Sequence, residues 1–130
     1  MLKLAIGLLL AVGSAALPMG GARAADLQGS WSGGGQVSFA SGGRESVRCR
    51  AQYTRRSNEG YVVRAVCATA SGRVAQTAAL RKIGDNRYRG TFYNNEYGIS
   101  GTILVSVAGA SHHSVRLTSD AGWASLSFSR

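Results

Sequence analysis

Residues 47–69 read VRCRAQYTRRSNEGYVVRAVCAT, with Cys49 and Cys67 placed symmetrically about Ser57-Asn58-Glu59. Folding this stretch as a hairpin centred on Asn58 sets Cys49 opposite Cys67, Ala51 opposite Ala65, Tyr53 opposite Val63 and Val47 opposite Thr69. Arg48, Arg50, Gln52, Thr54, Arg64 and Val66 then share the other face. Side chains alternate along a strand, so a register that gathers one apolar face is strongly specified. The same register lets the two cysteines form a cross-strand disulfide.

The chain beyond this hairpin repeats the pattern. Short alternating runs are separated by Gly, Asn, Asp and Ser, and no helical period exceeds a turn after Asp26. Eight strands are expected, at Gly29–Phe39, Glu45–Arg55, Tyr61–Ala70, Arg73–Ile83, Arg87–Tyr93, Gly98–Val107, Ser114–Ser119 and Trp123–Ser129. The registers that gather apolar faces pair Phe39 with Val47, Val105 with Val115, and Leu117 with Ala124. Pairing Tyr88 with Ile103 sets Gly90 against Gly101, an interior gap for an aromatic such as Trp31 or a ligand to fill. The fourth strand turns Ala78 and Leu80 inward when paired with the third but favours Ala79 and Ile83 when paired with the fifth, and a bulge near Arg81-Lys82 would reconcile the two. Uniformly short connections and an even strand number favour an all-β, up-and-down meander barrel over a two-sheet sandwich.

The first 24 residues read as a secretory leader: Lys3, an apolar run from Leu4 to Leu17, and Ala22-Arg23-Ala24 before the cleavage point. The expectation is a leader at 1–24 and one domain at 25–130, periplasmic or secreted. Two cysteines in an oxidising compartment are most simply one structural disulfide. Losing Lys3 and Arg23 lowers the formal charge from +9 to +7. Arg48, Arg50, Gln52 and Arg64 on the outward face argue strongly against a lipid-facing transmembrane barrel, whose outer surface must be apolar.

The six carboxylates (Asp26, Glu45, Glu59, Asp85, Glu96 and Asp120) fall in turns or near the start, leaving the strand arginines unaccompanied. Arg48, Arg50 and Arg64 are the candidate anion-binding residues, since guanidinium groups grip carboxylates and phosphates in bidentate fashion. The partner this suggests is an anionic envelope component; nucleic acid is not expected in that compartment. A solvated basic face is the plainer reading of the same residues. A small-molecule site is expected at the barrel end where Arg44, Asn94, Asn95, Glu96, Tyr97, Asp120 and Trp123 gather. Turn formation is the plainer role for Asn94 to Tyr97. No catalytic motif, cofactor signature or metal-ligand spacing stands out: adjacent His112 and His113 would point to opposite faces of a strand.

The opening Leu27-Gln28-Gly29-Ser30-Trp31 resembles the calycins, the lipocalin and avidin group, in its Gly-x-Trp entering the first of eight strands. That resemblance implies a barrel plugged by Trp31 at one end and open to a ligand at the other. Biotin contacts do not carry over, because Ser32-Gly33-Gly34-Gly35 departs from the avidin pattern. The Leu-x-Gly-x-Trp start, one early disulfide and export also resemble small bacterial periplasmic metalloprotease inhibitors. That second likeness implies an inhibitory arm at Ala25-Asp26-Leu27.

Overall fold

Period-two alternation makes each strand two-faced, and a sheet built from such strands buries its apolar face by curling until its edges meet. The structure, a computed structural model, describes residues 26–130 together with Gly13. The leader reading otherwise falls outside the described residues. The strands are β1 (Gly29–Phe39), β2 (Arg44–Ser57), β3 (Gly60–Thr69), β4 (Gly72–Gly84), β5 (Arg87–Asn94), β6 (Ile99–Val107), β7 (His112–Ser119) and β8 (Gly122–Ser129). They pair antiparallel in chain order, and β8 returns to β1 to close the barrel.

The deciding hairpin forms as read: Cys49 faces Cys67, Ala51 faces Ala65 and Tyr53 faces Val63. The sulfurs are bonded, with the two Cα atoms 4.1 Å apart. A register shift between Arg55 and Ser57 moves the turn to Asn58-Glu59, between Ser57 and Gly60. The pairings of β6 with β7 and β7 with β8 also stand, with Val105 on Val115 and Leu117 on Ala124.

Two registers differ from expectation. Between β1 and β2, Val47 lies opposite Gly35 rather than Phe39, a slip of four residues that keeps the same face inward. The cause is the turn. Gly42 and Gly43 adopt φ values of +100° and +97°, so the chain reverses sooner than a seven-residue loop would. Between β5 and β6, Gly90 faces Ile103 and Gly101 faces Phe92, instead of glycine facing glycine. Each small residue therefore receives a large partner, as close packing demands. A Cβ on Gly101 would sit 2.7 Å from the Phe92 ring and collide with the Thr118 carbonyl, so the strand backbones approach as only glycine allows.

In β4 the irregularity falls between Lys82 and Gly84, slightly beyond the expected Arg81-Lys82. It does not turn Ala79 and Ile83 inward. Ala78 and Leu80 stay buried against both neighbours, and Ile83 is 48% exposed. One inward set serves both sides because Leu80 pairs with Tyr61 and with Gly90.

Candidate functional site

One end of the barrel is closed by aromatic side chains. Trp31, Tyr53, Tyr61, Tyr88, His113 and Phe128 are all buried there with Leu27. The Trp31 indole N–H donates to the Leu27 carbonyl at 2.8 Å, which folds the entering segment back over the end. Arg130 lies 4.1 Å above the Trp31 ring and donates to the Gln28 and Asp26 carbonyls at 2.7 and 2.6 Å. The Asp26 carboxylate accepts from Arg55 and Tyr61, both at 2.9 Å. Asp26 and Leu27 are thus pinned to the barrel, so the stretch read as an inhibitory arm is not free at these two residues. Ala25 lies outside the described residues.

His113 is the functional-looking group that sequence reading missed. It is 2% exposed, stacked on Phe128 at 5.1 Å and set edge-on to Trp31 at 4.3 Å. Its Nε2 shares a 2.8 Å hydrogen bond with the Tyr53 hydroxyl, while Nδ1 has no partner. The signal lay in the alternation: β7 begins at His112, two residues earlier than expected, which carries His113 inward with Val115 and Leu117. Burial, with the nearby Arg130 charge adding to it, pushes its pKa down from 6.5 to about 4. Burial also holds the Tyr53 hydroxyl protonated well beyond its usual range. The unfolded chain therefore binds the His113 proton more readily. Stability is full above about pH 6.5 and declines as pH falls toward 4. Urea titrations across that interval should show the decline in wild type and a flatter profile in His113→Gln. Equal slopes in the two proteins would dismiss His113 as the titrating group.

Between this plug and the far end the interior holds a cavity of about 40 Å3, bordered by Ala51, Ala65, Gln76, Phe92, Leu117 and Leu126. A space that small accommodates about one water. The gap expected between two glycines is filled by Phe92 and Ile103.

The far end carries the residues expected to form a ligand mouth. Asn95, Glu96 and Tyr97 are exposed in the β5–β6 turn, Arg44 at the start of β2, and Asp120 in the β7–β8 turn. Asn94 is buried, and its Oδ1 accepts from the Glu96 and Tyr97 amides at 3.0 and 3.2 Å, so it serves the turn itself. Trp123 belongs to the outer surface, not the mouth. Its neighbour Ala124 takes the inward position, and the Arg116 guanidinium lies 5.5 Å over the Trp123 ring.

The outer wall matches its reading more closely. Arg48, Arg50 and Arg64 project outward and are exposed. Gly34, the outward member of the Gly33–Gly35 run, carries no side chain, and a groove of about 1020 Å3 lies there across β1, β2 and β3. Arg48, Arg50 and Arg73 border it, together with Val66. A second depression of about 770 Å3 continues it past Arg50 to Arg64 and Asn95. Among the described residues Arg55–Asp26 is the one ion pair, so none of these four arginines has a carboxylate within 4 Å. A row of cations lacking anionic partners is an electrostatic arrangement open to an external anion.

No protein-family model matches the chain, and no curated protein matches it. Among solved structures it is similar to the redesigned β-barrel mFAP1 bound to DFHBI, with a TM-score of 0.70 at 12% identity, covering 80% of this chain and 94% of that one. It is also similar to a de novo designed fluorescence-activating β-barrel, with a TM-score of 0.62 at 18% identity, covering 79% of this chain and 92% of that one. At such identities the likeness is one of fold. That fold is the small eight-stranded β-barrel.

Proposed function

We propose that the protein is a noncatalytic binding protein of the periplasm that holds an anionic envelope component against the arginine wall of β2–β4. The observation that carries this reading is the unpartnered set Arg48, Arg50, Arg64 and Arg73 along two adjoining depressions that share Arg50. Phosphate or carboxylate oxygens of the partner would accept bidentate bonds from the guanidinium groups. Lysine would supply the charge without that geometry.

The discriminating experiment uses immobilised polyglycerol phosphate. The triple variant Arg48→Gln/Arg50→Gln/Arg64→Gln should bind roughly a hundredfold more weakly, at about 1 kcal/mol per surface arginine. The matching Arg→Lys triple should recover only part of the loss. Full recovery by lysine, or binding that vanishes altogether in high salt, would reduce the wall to a solvated basic face.

A second reading, a small molecule taken up at the Arg44, Asn95, Glu96 and Tyr97 end, draws on the dye-bound barrel that shares the fold. Ligand pockets generally offer roughly 300–1,000 Å3. The interior cavity of about 40 Å3 is far smaller, so the outer wall is the better supported site.

A further inference from the structure

A second cationic patch lies on the opposite side of β4 from the groove just described. Arg81 on β4 is the direct cross-strand partner of Arg89 on β5; Arg89 pairs with Leu104 on β6, and Leu104 with Arg116 on β7. The four side chains form one transverse line on the outer face. Like charges set directly opposite each other on a sheet destabilise it, and no carboxylate among the described residues lies within 4 Å of these arginines.

Apolar residues stand among the charges. The irregularity between Lys82 and Gly84 leaves Ile83 outside the ladder and 48% exposed. Ile83, Arg87, Arg89, Leu104 and Arg116 border a groove of about 280 Å3. Trp123, 40% exposed beneath Arg116, extends the patch on to β8. Arginine with exposed tryptophan and aliphatic side chains is the composition of a surface that settles into the headgroup layer of an anionic bilayer. There the charges meet phosphates and the apolar groups reach the acyl boundary.

We infer that this β4–β8 face is a docking surface for an anionic lipid bilayer. Because it points away from the β2–β4 wall, the barrel is bivalent and can hold a membrane on one side and an anionic partner on the other. The bivalency rests on the first wall binding anions; the membrane face stands without it.

The test uses vesicles of phosphatidylglycerol with phosphatidylcholine, read by sedimentation, turbidity and tryptophan emission. Wild type should bind and cluster them, and its emission should shift to the blue on vesicles but not on soluble polyglycerol phosphate. A Trp123→Phe variant should bind and lose that shift, since Trp31 is already buried. The triple variant Arg81→Gln/Arg87→Gln/Arg89→Gln should lose both clustering and the shift while keeping polyglycerol phosphate binding through the other wall. Arg48→Gln/Arg50→Gln/Arg64→Gln should lose clustering and keep the shift. If the Arg81/Arg87/Arg89 variant keeps the emission shift, or if bound vesicles leave Trp123 emission unmoved in wild type, the membrane face is overturned. If only the Arg48/Arg50/Arg64 variant behaves as wild type, the first wall fails and the bilayer-docking face survives without bivalency.

Discussion

Trp31→Ala is expected to cost about 3–5 kcal/mol, the range for truncating a buried aromatic, from a domain whose whole stability is on the order of 5–15 kcal/mol. Three contacts disappear together. The indole fills the closed end against His113 and Tyr53, its N–H satisfies the Leu27 carbonyl, and its face carries the Arg130 guanidinium. Leu27 is fully buried, so its carbonyl would be left without a partner where water reaches it poorly. Arg130 would keep its bonds to Gln28 and Asp26, which limits the damage there. Urea unfolding followed by circular dichroism measures the loss. The informative control is Trp123→Ala, which removes a side chain of the same size from the outer surface and should cost about 1 kcal/mol or less. A Trp31→Ala midpoint no lower than that of Trp123→Ala would mean the plug does not hold the barrel together.

The contrast between these two tryptophans shows how much the chain discloses unaided. Trp31 sits in an alternating run whose inward neighbours are apolar, so its burial follows from period two. Trp123 follows the same rule and lands outside, because Ala124 and Leu126 claim the interior. Its assignment to the ligand mouth came from turn proximity, which alternation overrides. Face was legible nearly everywhere, since burial enforces it at each residue. Register was less so: a slip of two or four residues preserves the face, and only turn geometry at Gly42-Gly43 and size matching at Gly90 and Gly101 decided it. Grouping on the outer wall needed the barrel itself. Arg81, Arg89 and Arg116 are scattered along the chain and become one line only when three registers are known together. Which of His112 and His113 turns inward is not legible in the sequence, because a polar residue at a strand's edge carries no sign of whether the alternation has begun.

Replacing the disulfide by Cys49→Val/Cys67→Val should lower stability by about 3 kcal/mol, the loop-closure entropy released to the unfolded chain, for a separation of 18 residues. At about 4–8 °C per kcal/mol for a domain of this size, the melting temperature should fall by roughly 12–24 °C. Valine is the instructive substitute: both cysteines are buried, so it keeps the site apolar and isolates the crosslink from the packing. Local consequences should follow the pairing. Cys49 is also the partner of Gly33, so the bond braces β2 where β1 supplies no side chain beside it. Amide exchange in β1–β3 should accelerate more than in β5–β7. Between β2 and β3 the bridge also excludes the even-numbered slips that alternation alone permits. No such bond joins β1 to β2, and there the expected and observed pairings differ by a slip of that kind. A melting temperature within a few degrees of wild type, with exchange unchanged in β1–β3, would show that the inward apolar face sets the β2–β3 register without the sulfur bridge.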